Sequence, residues 1–142
     1  MAGRGTGRAG EPPRLVGRPD LATHPRAAFA VRLRDQVRPM GYADRSRGAL
    51  ALISCGIAGL TELSFELEPR RRGQGGGSAL VRDALTAIPA GRLVMAAVAP
   101  GNAASVRALL SAAFVPLASI QLFRRAAGDL PRQENNGRSH EK

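Results

Sequence analysis

Tryptophan is absent from the 142 residues, tyrosine and cysteine occur once each, and phenylalanine four times. With 4% aromatic but 44% hydrophobic residues, a core has to be filled by Ala, Leu and Val, which implies modest side-chain volume and moderate stability. The shortage also removes the stacking platforms on which single-stranded nucleic acid is read. The lone Cys55 lies in an apolar segment, so an internal disulfide and a cysteine-rich metal site are excluded. It fits a small buried hydrophobe in a reducing compartment. No apolar run approaches the ~18 residues of a membrane span, and the N-terminal stretch lacks the hydrophobic centre of a secretory signal. The expectation is a soluble, cytoplasmic protein with no membrane partner.

Acidic residues are the other shortage: 11 Asp and Glu against 21 Lys and Arg give a formal charge of +10. Arginine dominates that excess and suits phosphate-rich ligands, nucleic acid or acidic partners, without choosing among them. The length allows one domain. Residues 1–20 are rich in Gly, Arg and Pro with almost no periodic apolar residue, which predicts a disordered basic tail. Arg4, Arg8, Arg14 and Arg18 could touch nucleic acid or an acidic surface, although a solvated arm with no specific partner is the plainer expectation, and nucleic acid is expected to be reached through the basic tails alone. Residues 126–142 are polar and aperiodic and predict a second tail, leaving 21–125 as the folded domain.

Within it, Ala27, Ala28, Val31 and Leu33 fit a short helix, with Asp20 or Thr23 as N-cap and Pro25 in its first turn. Val37–Tyr42 and Ala49–Cys55 read as strands joined by a turn-like 43–48, and Gly56–Gly59 makes a second turn. Thr61 to Glu68 alternates Leu63, Phe65 and Leu67 with Glu62, Ser64, Glu66 and Glu68, the period of a half-buried strand. Three consecutive antiparallel strands follow from this spacing. Leu80, Val81, Leu85 and Ile88 recur at helical spacing up to Pro89 and Gly91, and Arg92–Val98 reads as a strand. A crossover of that length places its two strands parallel in one sheet, so the fold class is α/β in the α+β sense, a mixed sheet flanked by helices. Asn102 caps a helix from Ala103 to about Ala112, and Phe114–Phe123 reads as a last strand.

The stretch between strand and helix, Pro69-Arg70-Arg71-Arg72-Gly73-Gln74-Gly75-Gly76-Gly77-Ser78, stands out. Unpaired amides at a helix start attract phosphate, and glycines let it approach without a Cβ in the way. A nucleoside-triphosphate loop needs a lysine where Gly77 stands before Ser78. A dinucleotide fingerprint needs a glycine where Ser78 stands and an acidic residue about 20 positions on, but Arg92 to Pro100 holds none.

Arg72-Gly73-Gln74-Gly75-Gly76-Gly77 matches the Q/R-x-x-G-x-G/A signature of the GNAT superfamily of N-acetyltransferases. The later Asn102-Ala103-Ala104-Ser105, opening a helix that ends at Ala113-Phe114, resembles that family's second motif. Over roughly residues 59–123 the chain resembles a shortened member, with a tail and about one helix where the family has a strand and two helices. The resemblance implies acetyl-CoA as co-substrate, its pyrophosphate on the amides of Gly73, Gln74, Gly75, Gly76, Gly77 and Ser78, with Arg72 at the motif's cation position. Phe65 and Leu67 would offer main-chain groups to pantetheine, and Asn102 would contact the cofactor. The implied reaction moves an acetyl group to a primary amine of an unidentified acceptor.

Two proton-transfer handles of some members are absent, since Leu109 and Ala97 stand where a tyrosine and a carboxylate occur. Glu62 and Glu66, on one face of the pre-loop strand, are the candidate bases, working with a pKa raised by partial burial. Two other outcomes are a catalytically silent acyl-CoA-binding protein and a basic nucleic-acid-associating protein. A shortened sheet could also complete itself as a homodimer.

Overall fold

A computed structural model describes residues 1–120. Its centre is the expected meander: β3 (Asp35–Gly41), β4 (Ala49–Cys55) and β5 (Thr61–Leu67) pair antiparallel in sequence order. The alternation along β5 is the cause. Leu63 is fully buried and Phe65 and Leu67 pack on the main core, while Glu62, Ser64 and Glu66 share the opposite face. β4 has no polar face and is buried on both sides. Ala49, Ala51 and Ile53 join the main core, and Leu50 and Leu52 join a smaller cluster with Ala27 and Ala30.

Two further short strands precede the meander, β1 (Ala2–Arg4) and β2 (Val16–Gly17), and β6 (Leu93–Met95) follows it. The six form one mixed sheet in the order β1-β6-β5-β4-β3-β2, in which only β5 and β6 run parallel. The parallel pair is joined by helix α2 (Gly76–Leu85), the crossover that the spacing predicts. Helix α3 (Ala103–Leu110) lies with α2 over one face, and the six-residue α1 (Pro25–Ala30) covers the other. The architecture is therefore α+β in three layers. The core is aliphatic, as the composition demands: Leu15, Leu52, Leu63, Leu80, Ile88 and Leu109 are enclosed, and Phe114 is the one buried phenylalanine among the described residues.

Residues 1–20 are not a tail. Ala2–Arg4 adds to the sheet beside β6, and Gly5 and Gly7 exchange backbone hydrogen bonds with Arg92, Gly91, Ile88 and Ala90 at 2.9–3.0 Å. Leu15 then drops into the main core with no exposed surface, a burial worth about 2 kcal/mol. Composition hides this because the segment is held by its backbone and by one leucine, neither of which leaves a periodic signal. Glycine serves close packing there: a Cβ on Gly3 would lie 2.8 Å from the Phe114 ring, and one on Gly5 would lie 2.6 Å from the Ile88 carbonyl oxygen. The arginines expected to reach for nucleic acid are engaged as well. Arg4 donates to the Gly91 carbonyl, Arg18 pairs with Asp20 at 2.7 Å, and Arg14 approaches Asp83 at 3.5 Å.

Three smaller expectations are corrected. Helix α1 is capped by His24, whose Nδ1 accepts from the Arg26 amide at 3.2 Å, rather than by Asp20 or Thr23. Its buried positions are Ala27 and Ala30, while Val31 and Leu33 lie past its end and are exposed. The strand expected over Phe114–Phe123 is reduced, within the described residues, to a single bridge between Val115 and Ala2, with Pro116 immediately after it. Residues 121–123 and the expected tail at 126–142 lie outside the described residues.

Candidate functional site

β5 and β6 share only two register pairs, Thr61 with Val94 and Glu62 with Met95, after which the strands part. The Glu68 amide donates to the Gly48 carbonyl, extending the pairing of β5 with β4. The alternation of an antiparallel ladder then turns the backbone groups of Phe65 and Leu67 the other way, toward the gap beyond β6. At Leu67 that orientation is directly visible, since its carbonyl accepts from Arg72 Nε at 2.9 Å.

The glycine run closes one end of this gap. A 3-10 turn over Pro69–Arg71 leads to Gly73 and Gly75, both left-handed at φ 80° and 74°, where a side chain would be strained. Gly75 is the N-cap of α2 and brings no side-chain cap, so the amides of Gly76, Gly77 and Ser78 find no partner among the described residues. A Cβ on Gly77 would lie 3.3 Å from the Ala108 methyl carbon; the missing side chain is what lets the start of α2 approach α3. At the start of α3, the Asn102 side chain accepts from the Ser105 amide at 3.1 Å, so it is a helix cap.

Both helix starts open on one groove of about 530 Å³. Phe65, Leu67, Arg72, Gly73, Gly75, Gly77, Ser78 and Asn102 all line it, whereas Gln74 and Gly76 do not. Of the two carboxylates, Glu66 lines the groove and Glu62 does not; Glu62 instead forms an ion pair with Arg34. Glu66 is likewise held by cations. Arg26 Nε donates to it at 2.7 Å, and an Arg72 terminal nitrogen lies 3.7 Å away. The hydrogen bond from Arg26 is the largest cause that lowers the Glu66 pKa below the usual 4.5, and it outweighs partial burial. The expected upward shift is therefore reversed at Glu66. Leu109, at the position without the tyrosine, is fully enclosed in the core.

Sequence reasoning missed Arg26, Arg107 and Ser105 in the lining. Arg107 carried a readable signal, because it stands five residues after the cap Asn102 on the same short helix. Arg26 carried none: it lies on α1, whose Ala27 and Ala30 pack with Leu50 and Leu52 of β4, and its side chain reaches the polar face of β5, where a terminal nitrogen also donates to Ser64 Oγ at 3.0 Å. The groove thus gathers three guanidinium groups, one carboxylate and two helix N-termini whose dipoles present partial positive charge. It is suited to a polyanion that has an extended arm. Among the described residues no group of His, Cys, Asp and Glu has a metal-binding arrangement, and no helix is long and apolar enough to cross a membrane.

The fold and groove define an α+β protein with a mixed sheet and an anion-attracting cleft where its parallel strands part. No protein-family model, curated protein or solved structure matches this chain.

Proposed function

We infer that the groove binds acetyl-CoA and that the protein is an N-acetyltransferase acting on a primary amine. The observation that carries this reading is the convergence of the α2 and α3 N-termini on the parted edge of β5. Free amides at Gly77 and Ser78, backed by the α2 dipole, suit a pyrophosphate, and no Cβ intrudes at Gly73, Gly75 or Gly77. The free edge at Phe65 and Leu67 suits an amide-bearing arm that adds to β5 as a strand would. The motif resemblance around Arg72 and Asn102 points the same way.

Bound acetyl-CoA supplies a thioester carbonyl for attack by a neutral amine. The chain's part is to hold the cofactor and orient the acceptor. Arg72 binds the Leu67 carbonyl and approaches Glu66, so loading of the β5 edge requires that side chain to turn toward the phosphates. Glu66, paired to Arg26, is a weak base and fits a role in holding the acceptor better than one in removing its proton. An amine that arrives as a free base needs no strong one.

Incubation with acetyl-CoA and a panel of amines, following release of free thiol, tests the reading. Turnover that is lost on Gly75→Glu supports it. Absence of both turnover and calorimetric CoA binding removes it. A second reading, acyl-CoA binding without transfer, is favoured by the pairing of Glu66 and by the buried leucine at position 109. It predicts the same calorimetric binding with no thiol release.

A further inference from the structure

A second cleft, of about 230 Å³, lies at the opposite end of the sheet, where the ends of β4 and α2 meet the start of β5. We propose that it binds a small dianionic oxyanion, a phosphate or a phosphate monoester, between Arg38 and Arg92. Both arginines line the cleft and no carboxylate does. Elsewhere arginines near carboxylates are paired, as Arg26 and Arg72 are with Glu66, Arg34 with Glu62, and Arg18 with Asp20. Arg38 and Arg92 have no carboxylate partner among the described residues.

The two guanidinium groups are placed by different devices. Arg92 Nε donates to Thr61 Oγ1 at 2.9 Å, which fixes its plane and leaves its terminal nitrogens for a ligand. Arg38 stands opposite Ile53 in register, so both project from the same face, and Ile53 also lines the cleft. A bulge between Asp35 and Arg38 sets that position, and within it Gln36 holds φ at 50°, a strained value for a residue with a side chain. Gln36 lines the cleft beside Arg38. Bulges that re-aim side chains and strained backbone both concentrate at ligand sites. Asp35 faces Cys55 in register but is not part of the lining, and Glu62 next to Thr61 is taken by Arg34. The volume falls below the ~300 Å³ at which pockets begin to enclose drug-sized ligands, so a compact anion fits and a nucleotide does not.

Cys55, the chain's single cysteine, is partly exposed in the same cleft and serves as a reporter. The full-length protein is alkylated with the neutral reagent iodoacetamide in sodium phosphate, in glycerol phosphate, or in sodium chloride of matched ionic strength. Phosphate is expected to slow labelling by the occupancy factor 1 + [L]/Kd, about ten-fold at ten times Kd, while chloride does not. Arg38→Gln and Arg92→Gln, at exposed positions where substitutions usually change stability little, are each expected to abolish the protection. Gly75→Glu, which places its change at the other groove, is expected to keep it. Calorimetry of phosphate into Gly75→Glu, with and without Arg38→Gln, reads the same site without the thiol. Protection by glycerol phosphate but not by free phosphate assigns the ester. Protection equal in chloride, protection surviving both arginine variants, or no heat in Gly75→Glu that depends on Arg38 overturns the proposal.

Discussion

Arg26 on α1 and Glu66 on β5 meet at 2.7 Å, and both line the groove on which the starts of α2 and α3 open. The acidic stripe on β5 is the surface on which α1 and its following turn dock their cations, Arg26 on Glu66 and Arg34 on Glu62.

A carboxylate whose pKa is lowered on folding stabilises the native state above its unfolded pKa, and that contribution is lost as the pH falls through the lower folded value. Glu66 is such a group, shifted down from 4.5 chiefly by Arg26. Urea midpoints measured from pH 6 downward should therefore fall as the pH drops below about 4.5, in the range where unfolded carboxylates take up protons. Glu66→Gln should flatten that part of the profile. An unchanged slope in the variant would show the pair to be energetically idle.

Tyr42 donates to Asp83 at 2.7 Å and carries Arg47 over its ring at 3.2 Å from the centroid. Burial first, and then the hydrogen bond to Asp83, raise its pKa from 10.0 to about 12. As the only tyrosine in a chain without tryptophan, it can be followed by phenolate absorbance with no overlapping signal. The midpoint should lie near 12, and stability should decline between pH 10 and 12, where the unfolded chain has already lost the proton that the native state retains. Tyr42→Phe should remove that decline and cost about 1.5 kcal/mol at neutral pH, the worth of a hydrogen bond to a charged group. A midpoint near the unperturbed 10.0 would contradict the burial.

The N-terminal segment offers a sharp contrast between two glycines. A Cβ on Gly7 would lie 2.8 Å from the Ile88 carbonyl oxygen, whereas one on Gly17 meets nothing within 4 Å. Gly7→Ala should cost about 1–3 kcal/mol through overpacking against backbone, and Gly17→Ala should be near neutral. Leu15→Ala, from a fully enclosed site, should cost about 2–5 kcal/mol. Thermal or chemical denaturation decides the matter, and a disordered tail would show no effect in any of the three.

At the groove, Gly77→Val sets a branched side chain against Ala108, whose methyl carbon would lie 3.3 Å from the new Cβ. The start of α2 should be pushed off α3, with a loss of about 1–3 kcal/mol and of calorimetric CoA binding. Stability kept intact would mean that the helices do not meet as described.

What was legible in the sequence was local. The period-two pattern from Thr61 to Glu68, the turn residues around Gly48 and Gly59, and the cap at Asn102 each specify their own structure within a few residues. The glycine run from Gly73 to Gly77 marks a helix start open to an anion, and the groove lies there. What was not legible depends on partners far along the chain. Ala2 pairs with Met95, and Arg26 meets Glu66 across 40 residues. Burial alone argued for a raised pKa at Glu66; a cation supplied by another layer reversed the sign.

The segment from Ala2 to Gly17 runs from one side of the sheet to the other, pairing first with β6 and then with β3, and its middle is bonded to the residues that end α2. That placement has a consequence for the order of folding. Contacts so distant in sequence carry the full entropy of closing a long loop, which slows their formation relative to the local hairpins of the meander. The first strand leaves the ribosome some ninety residues before its partner at Leu93–Met95. It has nothing to pair with until α2 and β6 exist, so a segment made well before its partner is among the last parts of the fold to find its place.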